Sequence, residues 1–358
     1  MDCCFLNEIK EICSEQFDKL FFDKAISERI PVGGGLELTY RCNLHCLHCY
    51  SLCKNKYSRE MSYVEICKII DQLADAGTLY LFITGGEPLI RNDFPKIYKY
   101  IKKKGILVTI FTNGTLLSED IAEIFSHYPP FRVEITMYGA TQKTYETTTG
   151  VKGSFNRCMN GIEILLKHNI HLSLKTVVMR YNKHEVEELK SFAYKLGVGF
   201  RYSSLIFPRL DSSLDTYDMR LSPEEIVKYD IEDSTRKQAW IKLLSENSPS
   251  LDCGFLYLCG AALTIFHIDA EGNLCACVRE RKYRYNLLSG AFQDGWYNCL
   301  YNNIRMRKAS TNYKCNKCKY LIVCDQCPPI FESENGNPEK HSEYICQIAH
   351  LRAQEFGL

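Results

Sequence analysis

Three cysteines stand close together in the run Arg41-Cys42-Asn43-Leu44-His45-Cys46-Leu47-His48-Cys49-Tyr50. Thiolates are soft metal ligands, and three of them on one loop, at intervals of four and three residues, can converge on an iron–sulfur cube. A four-iron cluster normally takes four cysteines. Cys42, Cys46 and Cys49 alone leave one iron open, which chemistry needs and simple electron transfer does not, just as a catalytic zinc keeps an open position. Two other readings stand beside this one. Cys53 can close a ferredoxin-like cluster, although Lys54 follows it where the ferredoxin run has proline. Alternatively, the loop holds zinc, with His45 or His48 among the ligands.

A second set of thiols lies far downstream: Cys253, Cys259 and Cys277, then Cys315, Cys318, Cys324 and Cys327, then Cys346. They suffice for two fully ligated four-iron clusters. Paired C-x2-C units also suit zinc, but only five residues separate Cys318 from Cys324, short for a zinc ribbon, so iron is favoured. Cys275 is an extra candidate beside Cys277. Cys3, Cys4, Cys13, Cys67, Cys158 and Cys299 read as inert small hydrophobes.

These loops need a scaffold. Strand patterns at 36–40, 79–83, 106–111, 132–137, 170–178 and 199–203 alternate with helical ones. Such alternation implies parallel strands with right-handed crossovers, in an α/β barrel or a doubly wound sheet. Loops at the C-terminal ends of barrel strands build active sites. That rule places the cysteine loop beside three polar turns, Thr84-Gly85-Gly86-Glu87-Pro88, Thr112-Asn113-Gly114 and Thr136-Met137-Tyr138-Gly139. In the first of these, the glycines let backbone approach a ligand and Glu87 offers a carboxylate to an ammonium group. The division expected is an amphipathic helical arm over 1–35, the barrel over 36–206, a helical connector over 207–250 and a Cys-rich unit with a C-terminal helix over 251–358. Ser222-Pro223-Glu224-Glu225 starts a helix in the connector, and Asp269-Ala270-Glu271-Gly272-Asn273 reads as a hairpin turn.

Composition narrows the partners. Lys+Arg 44 against Asp+Glu 43 gives a formal charge of +1 over 358 residues, so nothing in the balance calls for nucleic acid or an anionic membrane. The opening residues Met1-Asp2-Cys3-Cys4-Phe5 lack the basic and apolar regions of a signal peptide, and the uncharged run after Cys253 is too short to span a bilayer. A cytoplasmic protein is expected, where 19 cysteines serve metals rather than disulfides.

The C-x3-C-x2-C loop followed by Tyr50, with Gly85-Gly86-Glu87 after the second strand, resembles the radical S-adenosylmethionine (SAM) enzymes over roughly 36–204. The resemblance implies a partial (β/α)6 TIM-like barrel whose open iron chelates the amino and carboxylate groups of SAM. It also implies that Glu87 and the glycine turn meet the amino group, with Thr84 beside them and Thr112, Asn113 and Thr136 near the ribose or carboxylate. Thr149 stands before Gly150 where many relatives carry an arginine for the SAM carboxylate. The downstream cysteines resemble the SPASM extension of peptide-modifying members. By that similarity Cys253, Cys259, Cys277 and Cys327 hold an inner auxiliary [4Fe-4S] cluster, and Cys315, Cys318, Cys324 and Cys346 an outer one, three clusters in all. Cys324-x2-Cys327 is one residue shorter than the usual family spacing.

The implied function is oxidative modification of a side chain in a ribosomally made peptide, with a thioether or carbon–carbon crosslink preferred. Formylglycine formation ranks lower, because that branch usually places an acid after the cysteine matched by Cys277 and this chain has Val278. Peptide epimerisation, small-molecule oxidation and a multi-cluster electron-transfer protein are the remaining alternatives. Implied partners are a precursor peptide or protein, a flavodoxin, ferredoxin or reductase as electron donor, and a separate protein that binds the leader peptide.

Overall fold

The computed structural model describes residues 14–51, 59–246 and 254–358. Cys3, Cys4, Cys13, Cys53 and Cys253 lie outside the described residues. Of the expected N-terminal arm, the described part is α1 (Ser14–Glu28). Then β1 (Gly33–Glu37), α2 (Tyr63–Asp75), β2 (Tyr80–Thr84), α3 (Phe94–Lys103) and β3 (Leu107–Thr112) alternate. They are followed by α4 (Glu119–His127), β4 (Arg132–Thr136), α5 (Gln142–Thr149), α6 (Ser154–Lys167), β5 (Leu172–Val177), α7 (Val186–Lys195) and β6 (Gly199–Ser203). The six strands pair in parallel in chain order, giving the partial barrel that the alternation implies.

The strands alternate as a half-buried sheet must. Leu81, Ile83, Val108, Ile110, Val133 and Ile135 share one core with the helices. Helix α2 shows how each helix joins it. Ser62 and Glu65 form a reciprocal capping box, and Ile66, Ile69, Ile70 and Leu73 are buried. Each such side chain contributes about 1.5–3 kcal/mol of apolar burial. The opposite, inner face is mixed in character: Phe82 stacks on Phe111, and Glu37, Glu134, Lys175 and Arg201 meet charged partners there.

β1 begins three residues earlier than the sequence pattern suggests. A run of three glycines reads as a turn, but here it is strand, because neighbouring rings occupy the space of its side chains. A Cβ on Gly34 would fall 2.3 Å from the Phe266 ring, and one on Gly35 would fall 2.4 Å from His267 and Phe82.

The chain then passes through α8 (Pro223–Glu232), capped by Ser222 as expected, and α9 (Ser234–Glu246). The Cys-rich unit rejoins the sheet. β7 (Ile265–Ile268) pairs parallel with β1, and β8 (Asn273–Cys275) and β9 (Arg284–Asn286) add antiparallel, so the described sheet runs β6-β5-β4-β3-β2-β1-β7-β8-β9. Gly272, at φ 86°, makes the β7–β8 turn. Beyond lie a π-helix (Asp294–Arg305), α10 (Pro328–Asn335) and α11 (Glu343–Phe356). Buried Asp230 of α8 ties the connector to α11 through Arg352, whose other nitrogen holds Asp325 at 2.6 Å. Among the described residues no helix is long and apolar enough to cross a membrane.

The Gly34→Ala variant should lose about 1–3 kcal/mol, since its methyl group has no room between β2 and β7. Denaturant unfolding of the two proteins measures this, and an unchanged midpoint would refute the packing account.

Candidate active site

The cysteine loop leaves β1 and is pinned from three sides. Below, Gly86 N–H donates to the Thr39 carbonyl at 2.8 Å and Glu87 N–H to the Arg41 carbonyl at 2.9 Å. The glycines are needed here for chain-to-chain contact: a Cβ on Gly85 would fall 2.3 Å from the Thr39 oxygen, and one on Gly86 2.2 Å from the Arg41 oxygen. From the α5 side, His45 N–H and Leu47 N–H donate to the Thr149 and Thr148 carbonyls at 2.9 and 3.0 Å. From the connector, Arg209 donates to the Cys49 and Leu47 carbonyls while holding Asp215 at 2.6 Å.

Cys42, Cys46 and Cys49 thereby come together at a cavity of about 1060 Å³. Tyr50, Thr84, Gly85, Gly86, Thr112, Asn113 and Thr136 line the same space. Sequence spacing alone brought these residues from four separate loops, and the parallel sheet gathers them at one end. The Asn113 side chain joins two of the loops, donating to Asn43 Oδ1 at 2.9 Å and lying 3.9 Å from Cys42 Sγ. Tyr138 is within electrostatic reach of all three thiols, and burial first, then their charge, pushes its pKa up.

Glu87 is placed differently from the expectation of an ammonium contact. It is fully buried and does not line the cavity. Its carboxylate accepts from Thr112 Oγ1 and Asn113 N–H, each at 2.7 Å, and from Leu89 N–H at 3.1 Å. It therefore positions the Thr112-Asn113 turn from behind. Burial raises its pKa to about 7, and those donors only partly offset the desolvation. Thr149 is also buried, its hydroxyl 2.9 Å from Ser154 Oγ, and its role in the loop is through its backbone carbonyl.

His45 and His48 both border the cavity. Burial and nearby Arg209 hold His48 down to about 4, and its ring packs edge-on against Tyr138 at 4.6 Å. Among the described residues no three His, Cys, Asp or Glu side chains are gathered to hold a single ion.

The downstream thiols sort into two groups. Cys259, Cys277 and Cys327 lie within electrostatic reach of one another, with Arg279 beside them. Cys253 lies outside the described residues. Cys315, Cys318, Cys324 and Cys346 surround a small cavity of about 30 Å³. Cys324 and Cys327 are close in sequence yet face different groups, and each has extended backbone between the short helical turn before it and the helix after it. Burial pushes both thiols up to about 12, so a cationic centre is what would hold them as thiolates. Cys275 belongs to neither group: it is buried in β8 beside Arg281, Asp269 and Glu37. None of the described cysteines is disulfide-bonded. Their thiols are the soft donors that iron–sulfur clusters take.

The sequence reading missed the cations of the cavity, Lys175, Arg201 and Arg209. Their signal was available for the first two: each interrupts an otherwise uncharged strand at an alternating, inward position.

Residues 36–193 match the model of the Radical SAM superfamily, and this part of the chain is a radical SAM domain, a class that works with SAM and an iron–sulfur cluster. The relatives extend further. The mycofactocin maturase MftC of Mycolicibacterium smegmatis is 27% identical over 306 residues, covering 80% of this chain and 75% of its own. The fold is shared with SuiB of Streptococcus suis, solved with its precursor peptide SuiA, at TM-score 0.71 and 19% identity over 95% of this chain and 83% of that one. It is also shared with anSMEcpe, solved with AdoMet and the peptide Cp18Cys, at TM-score 0.69 and 18% identity over 90% and 96% of the two chains.

Glu87 should leave a pH signature in stability. Its folded pKa of about 7 lies above the ordinary 4.5, so its stabilising effect is full below 4.5 and is lost as pH rises through 7. Relative to Glu87→Gln, which does not titrate, the wild type should lose on the order of 3 kcal/mol between pH 4.5 and 7. Parallel unfolding curves for the two proteins across this window would overturn the burial argument.

Proposed function

We propose that the protein is a peptide-modifying radical SAM enzyme of the SPASM type. In this reading it oxidatively installs a thioether or carbon–carbon crosslink in a ribosomally made peptide. The observation that carries the reading is the convergence of Cys42, Cys46 and Cys49 with the Gly85-Gly86 and Thr112-Asn113 turns at one large cavity. When bound, the three-thiolate cluster and SAM supply a 5′-deoxyadenosyl radical that takes hydrogen from an unactivated C–H bond.

The chain's own residues do the rest. Cys42, Cys46 and Cys49 would hold the SAM-binding cluster, and Cys253, Cys259, Cys277 and Cys327 with Cys315, Cys318, Cys324 and Cys346 would hold two auxiliary clusters, which would supply an electron acceptor. Gly85, Gly86, Thr84, Thr112, Asn113 and Thr136 orient SAM, and Glu87 fixes the Asn113 turn. Tyr138 and His48 close the cavity wall against the thiol loop and exclude water. A cavity of about 1060 Å³ is above the range of about 300–1,000 Å³ usual for a pocket that takes one small molecule, which supports a second molecule beside SAM. The maturase relative and the fold shared with a precursor-peptide complex support a peptide as that molecule. A flavodoxin, ferredoxin or reductase is proposed as the electron donor.

Anaerobically reconstituted protein, reduced with dithionite and given SAM, should release 5′-deoxyadenosine, and Cys46→Ala should reduce the release at least a hundredfold. Iron analysis should find about twelve irons per chain, falling to about eight in a Cys318→Ala/Cys346→Ala double variant. Zinc alone, or SAM left intact by the reduced protein, sinks the proposal.

A further inference from the structure

The inner wall of the cavity carries a charge imbalance that the chemistry at the cysteine loop does not use. On β4, Glu134 is buried and faces three cations: Arg201 of β6, Lys175 of β5 at 3.3 Å and Arg132 at 3.8 Å. One carboxylate cannot neutralise three cations, and Lys175 and Arg201 both open onto the cavity. The cavity's other arginines are already matched, Arg41 by Glu60 and Arg209 by Asp215. The cavity's remaining carboxylate, Asp211, accepts from Ser213 N–H at 3.0 Å in the connector segment that carries Arg209 and Asp215, so the excess positive charge on the sheet is localised on the Lys175–Arg201 patch.

The patch is also built. The Lys175 ammonium lies 3.2 Å from the centre of the Phe111 ring, in cation–π contact, and Arg201 lies 5.8 Å from the same ring. Phe111 is itself backed by Phe82, stacked at 5.1 Å. Lys175 is largely buried and its pKa is held down to about 8 by desolvation, partly offset by Glu134, so an arriving anion would restore its full charge. Arg201 sits on β6, the sheet's terminal strand, and half of its side chain is exposed. Together they form a path from the open edge of the barrel to its inner wall.

We infer that Lys175 and Arg201 form a carboxylate-recognition subsite for the peptide substrate. The inference rests on the proposed function for the identity of its ligand. Lys175 pairs in register with Thr136 of β4 on one side and Arg201 of β6 on the other, so the two cations lie on the β5–β6 side of the cavity. A SAM carboxylate held at the cysteine loop is on the β1 side of the cavity, and in the sheet order three strands, β2 to β4, stand between β1 and β5. The carboxylate met by Lys175 and Arg201 then belongs to the second molecule, as an acidic side chain or as a C-terminus.

Calorimetry of SAM-loaded holoenzyme tests this with four probes. These are acetyl-Ala-Ala-Glu-Ala-Ala-amide, its Gln counterpart, and acetyl-penta-alanine with a free or an amidated C-terminus. At least one carboxylate probe should bind tenfold or more tighter than its neutral partner, and the pair that does so identifies the source of the carboxylate. Lys175→Met and the half-exposed Arg201→Gln should each erase most of that preference while SAM affinity stays within threefold. Glu134→Gln, which removes the internal competitor, should strengthen it. Equal binding of charged and neutral probes refutes the subsite. Loss of SAM affinity in both variants with the peptide preference intact assigns the cations to SAM and refutes it equally. Release of 5′-deoxyadenosine reports separately on the radical chemistry, so an inactive protein that still prefers carboxylates would overturn the proposed function and leave the anion site standing.

Discussion

The site depends on a contact between two stretches of backbone. Gly85 and Gly86 lie so close to the carbonyls of Thr39 and Arg41 that no side chain fits between them, and two hydrogen bonds fasten the approach. This contact sets where the loop leaves β1 and therefore where the three thiols stand relative to the polar ends of β2 and β3. The remaining anchors refine that position. Thr148 and Thr149 hold the loop by carbonyls, Arg209 donates to the carbonyls of Leu47 and Cys49, and Asn113 links the third strand end to the loop. A loop held by backbone contacts on several sides keeps its ligands in place with little backbone entropy left to lose on binding metal.

Buried charge is handled differently at the two sides of the barrel. At β1, Glu37 meets His267 at 3.1 Å and Arg281 at 2.7 Å, and although burial pushes its pKa up, these partners bring it to about 2. That group is matched internally and has no charge to spare for a ligand. At β4 to β6 the balance is broken in favour of cations. The same fold thus has a neutralised side, where the Cys-rich unit attaches, and a positive side facing the cavity. An uncompensated buried charge costs several kcal/mol unless something pairs with it, which is why such imbalances concentrate where ligands bind.

Much of this was legible in the sequence. The alternation of strands and helices, the cysteine loop after the first strand and the polar turns after the next three all rest on local patterns, and the parallel sheet converts them directly into one site. The start of β1 was not legible, because its three glycines owe their strand conformation to Phe266 and His267, far away in the chain. Glu87 was legible as a residue of the site but not in its orientation, which depends on a donor contributed by the Thr112-Asn113 turn. That Cys324 and Cys327 face different groups is not revealed by their spacing. Lys175 and Arg201 were visible as charges within strands, yet their significance lies in the count of partners around Glu134, a property of three strands together.

The pairing of β1 with β7 joins residues more than two hundred positions apart, Gly33 beside Ile265. During synthesis, one edge of the first strand stays unpaired until most of the polypeptide has left the ribosome, and contacts of such long range form slowly. For that interval the nascent chain carries the cysteine loop next to an open strand edge, and the return of β7 to β1 is the contact whose loop-closure cost the rest of the sheet must wait for.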